Sequence, residues 1–165
     1  MLADDPCSGP EFKTNGEVIR GIGSGESMNK NAAQKKAKSN AINEIASTLN
    51  TVFQSVTTNY LNDRTENDLS TVRGKLEDMQ KTLVDQEVRG AHDICTKYGT
   101  RKNSQGVMVY ICYTSYELSA ASIADKYYQN LKTLSEDAEL RIDYDYENYK
   151  EDFKQEMENL KNRRN

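Results

Sequence analysis

A stripe of apolar residues at helical spacing limits most strongly how this chain can fold. Eight residues recur at steps of three or four along positions 33–60: Ala33, Ala37, Ala41, Ile45, Leu49, Val52, Val56 and Tyr60. Steps of this size place side chains on one face of an α-helix. The stripe predicts a long helix that starts near Ser27 to Asn29. Because its first half is alanine, the helix can approach a neighbouring element closely.

The segment before this helix has the character of a β-strand. Residues 17–23 contain the β-formers Val18 and Ile19, and Gly21, Gly23 and Gly25 mark the end of the strand. These glycines do not form a dinucleotide-binding fingerprint, because position 26 is Glu where the third glycine is required. We interpret them as positions that let the helix pack close beside the strand.

Two further elements follow in the middle of the chain. An apolar stripe after the capping-box pattern at residues 65–68 predicts a second amphipathic helix: Leu69, Val72, Leu76, Met79 and Leu83. Residues 86–98 and 107–116 then predict an antiparallel hairpin around a turn at 101–106. With the turn centred between Asn103 and Ser104, Cys95 lies opposite Cys112.

The remainder, from residue 119 to 165, predicts a long helical arm. It carries most of the acidic excess of a chain whose net charge is −4. The predicted fold class is α+β, with long helices packed on a small antiparallel sheet and a long C-terminal helical arm. The predicted domains are a disordered lead-in at 1–15, an α+β domain at 16–118, and the arm at 119–165, which either projects, folds back or meets another chain.

The order of three motifs resembles the LPP20-type lipoprotein family. They are a strand ending in Gly21-Ile-Gly23-Ser-Gly25, an alanine-stepped helix at 33–46, and a final strand opening with Gly106-Val-Met-Val-Tyr110, all within residues 17–116. The resemblance implies a helix packed on a small antiparallel sheet, export to the bacterial cell envelope (periplasm or outer membrane), and no known catalysis. Cys7 lacks the small apolar run that precedes a lipidated cysteine, so any lipid anchor would lie upstream.

The cysteines provide one candidate site. Two cysteines opposite each other in a hairpin can form a disulfide in an oxidising compartment. We therefore predict Cys95 and Cys112 as a candidate disulfide, with Cys7 left over; two unrelated free thiols are the alternative. His92 is the only histidine, and its neighbour Asp93 would point to the opposite face of a strand. We predict no catalytic residues, no metal ligands and no cofactor.

Aromatic residues of the arm provide a candidate interface, because tyrosine is enriched at protein contacts. The set is Tyr127, Tyr128, Tyr146, Tyr149 and Phe153. Intramolecular packing of the same stripe is the alternative. No basic face for nucleic acid and no apolar run of membrane-spanning length is visible. The sequence thus favours a non-catalytic envelope module that binds a protein partner or self-associates, with a small-ligand carrier as the alternative.

Overall fold

The computed structural model describes residues 5–62, 69–136 and 146–164 and confirms the α+β class. The strands are β1 (Val18–Ser27), β2 (His92–Lys102) and β3 (Met108–Ser119), and the helices are α1 (Lys30–Asn62), α2 (Leu69–Glu87), α3 (Ala120–Glu136) and α4 (Tyr146–Arg164). The strands form one antiparallel sheet in the order β1-β3-β2. Helices thus pack on a small sheet, as the sequence predicts.

Helix α1 begins where the sequence indicates and packs directly on β1. The side chain of Asn29 caps it by accepting a hydrogen bond from the backbone N–H of Ala32 at 3.1 Å. All seven members of the apolar stripe from Ala33 to Val56 are almost fully buried. A Cβ atom added at Gly21 or Gly23 would overlap backbone atoms of α1. The helix and the strand are therefore in backbone contact.

Polar side chains of α1 protect the outer edge of β1. The carboxylate of Glu44 accepts a hydrogen bond from the N–H of Ile22 at 3.2 Å. The side-chain amide of Asn40 donates to the carbonyl of Ser24 at 2.7 Å. An unpaired strand edge is a template for unwanted strand pairing. These bonds occupy backbone groups that another strand would need.

The C-terminal helices fold back and complete the core around the second half of α1. Phe53 of α1 stacks on Tyr127 of α3 with ring centroids 4.3 Å apart, and Tyr149 and Phe153 of α4 join the same aromatic cluster. One cluster of buried apolar side chains includes Ile19 of β1 together with these rings. Residues on both sides of the predicted boundary at 118 therefore share one core.

The predicted disordered lead-in is wrong for residues 5–15. Cys7, Ser8 and Thr14 are buried, and the hydroxyl of Thr14 bonds both the N–H and the carbonyl of Arg20 at 2.9 and 3.1 Å. We call residues 5–17 the N-terminal strap. The prediction failed because amino-acid composition indicates only how much apolar surface a segment can bury by itself. It does not show a covalent tether to the sheet.

The hairpin exists, but its register differs from the prediction. Asn103 N–H bonds the carbonyl of Val107 at 2.8 Å, and Gly106 adopts a positive φ of 78°. These contacts centre the turn on Gln105, further along the chain than predicted, because a glycine in the left-handed region closes a three-residue loop. The first strand also begins at His92, not at residue 86, since α2 continues to Glu87. From Cys95 to Lys102, each residue of β2 therefore faces a partner three positions further along β3 than predicted; a β-bulge between Asp93 and Cys95 reduces the shift to two positions at the start of the strand.

Within the described parts of the chain, no helix has the length and apolar character needed to cross a membrane. The predicted capping box at residues 65–68 lies outside the described residues.

Candidate interaction surface

The structure corrects the predicted disulfide. Cys95 is bonded to Cys7, with their Cα atoms 5.7 Å apart, and Cys112 is a free, buried thiol. In the observed register Cys95 pairs with Ser115 and Cys112 pairs with Tyr98. A shift of three positions reverses the face on which a strand residue lies. Cys95 and Cys112 are therefore on opposite faces of the sheet and cannot be joined.

Cys112 has the environment of a structural thiol. It is fully buried and packs with Ala33 and Ala37 of α1. Burial, followed by the nearby Asp93 carboxylate, raises the pKa of the Cys112 thiol, although a hydrogen bond with Tyr98 opposes the shift. A raised pKa reduces the population of thiolate, which is the reactive form. The position is unsuited to nucleophilic chemistry.

The structure also corrects the predicted aromatic interface. Tyr127, Tyr149 and Phe153 are 1%, 0% and 5% exposed, so they form core and not surface. Burial raises the pKa of Tyr127 to about 12, while the hydrogen bond that its hydroxyl shares with Thr57 at 2.6 Å acts in the opposite direction. Tyr128 is half-buried against this core. The side chain of Tyr146 lies outside the described residues.

The place predicted for a small ligand is closed. A carrier would need space between α1 and the sheet, and the overlap of any Cβ added at Gly21, Gly23 or Gly25 with α1 shows that the space is filled. A surface cavity of about 650 Å³ lies elsewhere, between the start of β1, the start of α3 and α4. Its lining mixes small apolar residues with both signs of charge, including Asp125 and Lys154. This mixture selects no ligand class.

One end of the sheet exposes large apolar side chains. We call this end the tip; it contains the turn of the β2–β3 hairpin and the junction between β1 and α1. All of the exposed large hydrophobic residues in the described part of the chain lie there: Met28 (70% exposed), Met108 (53%), Tyr98 (41%), Val107 (41%) and Tyr110 (39%). We call these five residues the tip patch. Exposed apolar residues gathered at one place mark an interaction site more often than scattered ones do.

The register brings the members of the patch together. Tyr110 pairs with Ser27, which directly precedes Met28, and Met108 pairs with Lys102. Met108, Tyr110 and Tyr98 lie on the same face of the sheet as the buried Cys112, since their register positions differ by even numbers. That face is covered by α1 at Cys112 but is left open at the tip, beyond the start of the helix.

Positive charge surrounds the patch. Ser24, Tyr113 and Lys97 are paired across the three strands and mark one boundary of the tip region. This region comprises residues 24–38 and 97–113. It contains seven basic residues and one acidic residue, whereas the rest of the chain contains fifteen basic and twenty-five acidic residues. The ammonium of Lys30 lies 4.4 Å from the ring centroid of Tyr98, and the only acid, Glu26, is paired with Arg101. The tip is basic in a chain that is acidic overall.

Sequence reasoning missed this surface for a specific reason. The lysines near the start of α1 are close together in the sequence and have the pattern of a solvated helix end: Lys30, Lys35, Lys36 and Lys38. The cations of the hairpin are about 60 residues further along the chain. Only the pairing of β1 with β3 brings the two groups to one end. Counting charges over residues that are paired across predicted strands, and not over consecutive residues, would have revealed this basic surface.

The fold belongs to the α+β class, and comparison with known proteins adds no narrower class. No protein-family model, no curated protein and no solved structure matches the chain. The resemblance to the LPP20-type family therefore stays a prediction.

Proposed function

We propose that this chain is a non-catalytic module exported to the bacterial envelope, where its tip attaches it to an anionic partner. The observation that carries the proposal is the coincidence of the tip patch with a strongly basic part of a chain that is acidic overall. Apolar contact supplies affinity, and opposite charge supplies orientation and rapid encounter. Tyr127, Tyr149 and Phe153 have no part in this attachment, because they are buried.

The disulfide between Cys7 and Cys95 supports the proposed compartment. Disulfides persist in oxidising environments such as the periplasm and are rare in the cytosol. Export is also what the resemblance to the LPP20-type family implies. Both arguments favour the same location.

Fractionation of cells tests the attachment without assuming its partner. The chain is expressed in a bacterium behind a cleavable export signal, and its distribution between the membrane pellet and the soluble periplasm is measured. We expect the wild type in the pellet at low salt and in the soluble fraction at high salt, since salt screens exposed charges. The double variant Lys30→Glu/Lys102→Glu should be soluble at both.

A matched charge reversal on two helices serves as the control. Lys81 and Lys154 are exposed on α2 and α4, away from the tip. Lys81→Glu/Lys154→Glu changes net charge by the same amount and should remain in the pellet. Equal behaviour of the two double variants would contradict attachment through the tip.

A further inference from the structure

We propose that the anionic partner is the headgroup surface of a lipid bilayer, into which the tip patch inserts while the surrounding lysines contact lipid phosphates. This inference rests on the proposed function and names its partner. It follows from the shape of the tip, from the types of side chain exposed there and from the position of the charges.

The shape favours a flat partner. Met28 lies in the junction between β1 and α1, and Val107 and Met108 lie where the chain leaves the hairpin turn. Three of the five patch residues are therefore in or next to chain reversals at the extremity of the molecule. A groove that holds a peptide is concave and lies between elements. An extremity built from chain reversals contacts a plane first.

The exposed side chains suit the interface between water and hydrocarbon. Met28 and Met108 are unbranched and flexible, and they are the two most exposed of the five. Tyr98 and Tyr110 combine an apolar ring with a polar hydroxyl, the combination that concentrates at membrane interfaces. Long lysine side chains keep their ammonium groups among headgroups while their stems cover apolar surface.

The charges determine which lipid the tip prefers. With seven basic residues against one acidic residue, the tip should be attracted to an anionic leaflet, whereas the rest of the chain, with fifteen basic and twenty-five acidic residues, should not. The molecule would thus approach the membrane with its tip first. Insertion of the tip patch then adds the burial of apolar side chains to the free energy of binding.

Vesicle flotation tests the inference with the full oxidised chain. The probes are vesicles of phosphatidylcholine alone and vesicles in which about a third of the lipid is phosphatidylglycerol, since anionic lipid creates the surface potential. We expect the chain to bind the vesicles that contain phosphatidylglycerol and to bind little to those of phosphatidylcholine alone. Lys30→Gln/Lys102→Gln should bind roughly thirtyfold more weakly, and Met28→Ser/Met108→Thr roughly tenfold more weakly. Lys81→Gln/Lys154→Gln should bind like the wild type.

A tryptophan reporter locates the inserted residues. The chain contains no tryptophan, so Met108→Trp provides a single probe at the tip and Gln129→Trp, on the exposed side of α3, a control probe. On anionic vesicles we expect the emission of the tip probe to shift to shorter wavelength and to be quenched by brominated acyl chains. The control probe should do neither. Circular dichroism of each variant confirms that it is folded.

The outcomes separate this inference from the proposed function. Failure to bind either vesicle, with tip-dependent attachment to the envelope fraction retained, would overturn the lipid inference and indicate an acidic protein partner. Vesicle binding that is insensitive to the tip variants, or quenching of the control probe in place of the tip probe, would overturn it as well. Loss of tip dependence in the cell fractions would instead overturn the proposed function itself.

Discussion

Three glycines in β1 determine how closely α1 can lie on the sheet. Gly21, Gly23 and Gly25 alternate along the strand, so they all face the helix. Each meets a carbonyl of α1 that belongs to an alanine of the buried stripe. Glycine is required here for space, because none of the three has a positive φ. The small residues of the two elements act as one packing unit.

Gly23→Ala should destabilise the protein by roughly 3 kcal/mol, because an added methyl group would overlap the carbonyl of Ala37 and force α1 away from the sheet. Urea unfolding followed by circular dichroism measures the change. Gly99→Ala is the matched control on β2, where nothing lies within 4 Å of an added Cβ. It should change stability by less than about 1 kcal/mol. Equal stability of the two variants would contradict the close contact.

At the scale of elements, the N-terminal strap gives the sheet a second covered face. Helix α1 packs on one face, and the strap is bonded to Cys95 on the other face, where the neighbouring Ser115 is fully buried. Arg20 links the strap to the sheet: its guanidinium donates to Glu117 at 2.9 Å and to the carbonyl of Lys13 at 3.1 Å. The disulfide fixes the strap to β2, the strand furthest from β1.

Loss of the disulfide should lower stability by about 4 kcal/mol, because Cys7 and Cys95 are separated by 88 positions and their bond removes much chain entropy from the unfolded state. Cys7→Ser and Cys95→Ser should show this loss in urea unfolding, and the double variant should show no further loss of entropic origin. Under non-reducing conditions only Cys112 should be alkylated after denaturation. Recovery of a peptide that joins Cys95 to Cys112 would contradict the assigned bond.

At the scale of the whole molecule, the sheet and the four helices share one core. Phe53 contacts rings from both α3 and α4, so the second half of α1 has no complete apolar environment without them. The basic tip lies at the end of the sheet that holds the β2–β3 turn, and the rest of the chain contains fifteen basic and twenty-five acidic residues. The tip patch lies beside the start of α1, whereas the aromatic rings of the core pack on its second half.

A chain that ends at Ser119 should not unfold cooperatively, since it exposes Phe53 and the apolar face of α1 that α3 and α4 cover. Thermal melting by circular dichroism and binding of a fluorescent apolar dye measure this. The full-length chain, with its core complete, should melt in one transition and bind little dye. A sharp transition in the shortened chain would show instead that residues 16–118 form an independent domain.

Local pattern in the sequence determined the fold class. The spacing of Ala33 to Val56 specifies a helix with one buried face, and alternation with β-branched residues specifies the strands, because both signals depend on neighbours along the chain. The same reasoning placed the glycine contact between β1 and α1. These features could be predicted because each is encoded within a few turns or a few residues.

Contacts between distant parts of the chain were decided by the tertiary structure. The hairpin register follows from a single left-handed glycine, Gly106. The predicted register was wrong by three positions, which placed Cys112 on the same face as Cys95. The bond between Cys95 and Cys7 was therefore not predicted. The tip joins side chains from positions 28 to 110, which only strand pairing brings together. An aromatic stripe at helical spacing fits a core and an interface equally well, so Tyr149 and Phe153 could be assigned only when the helix that covers them was known.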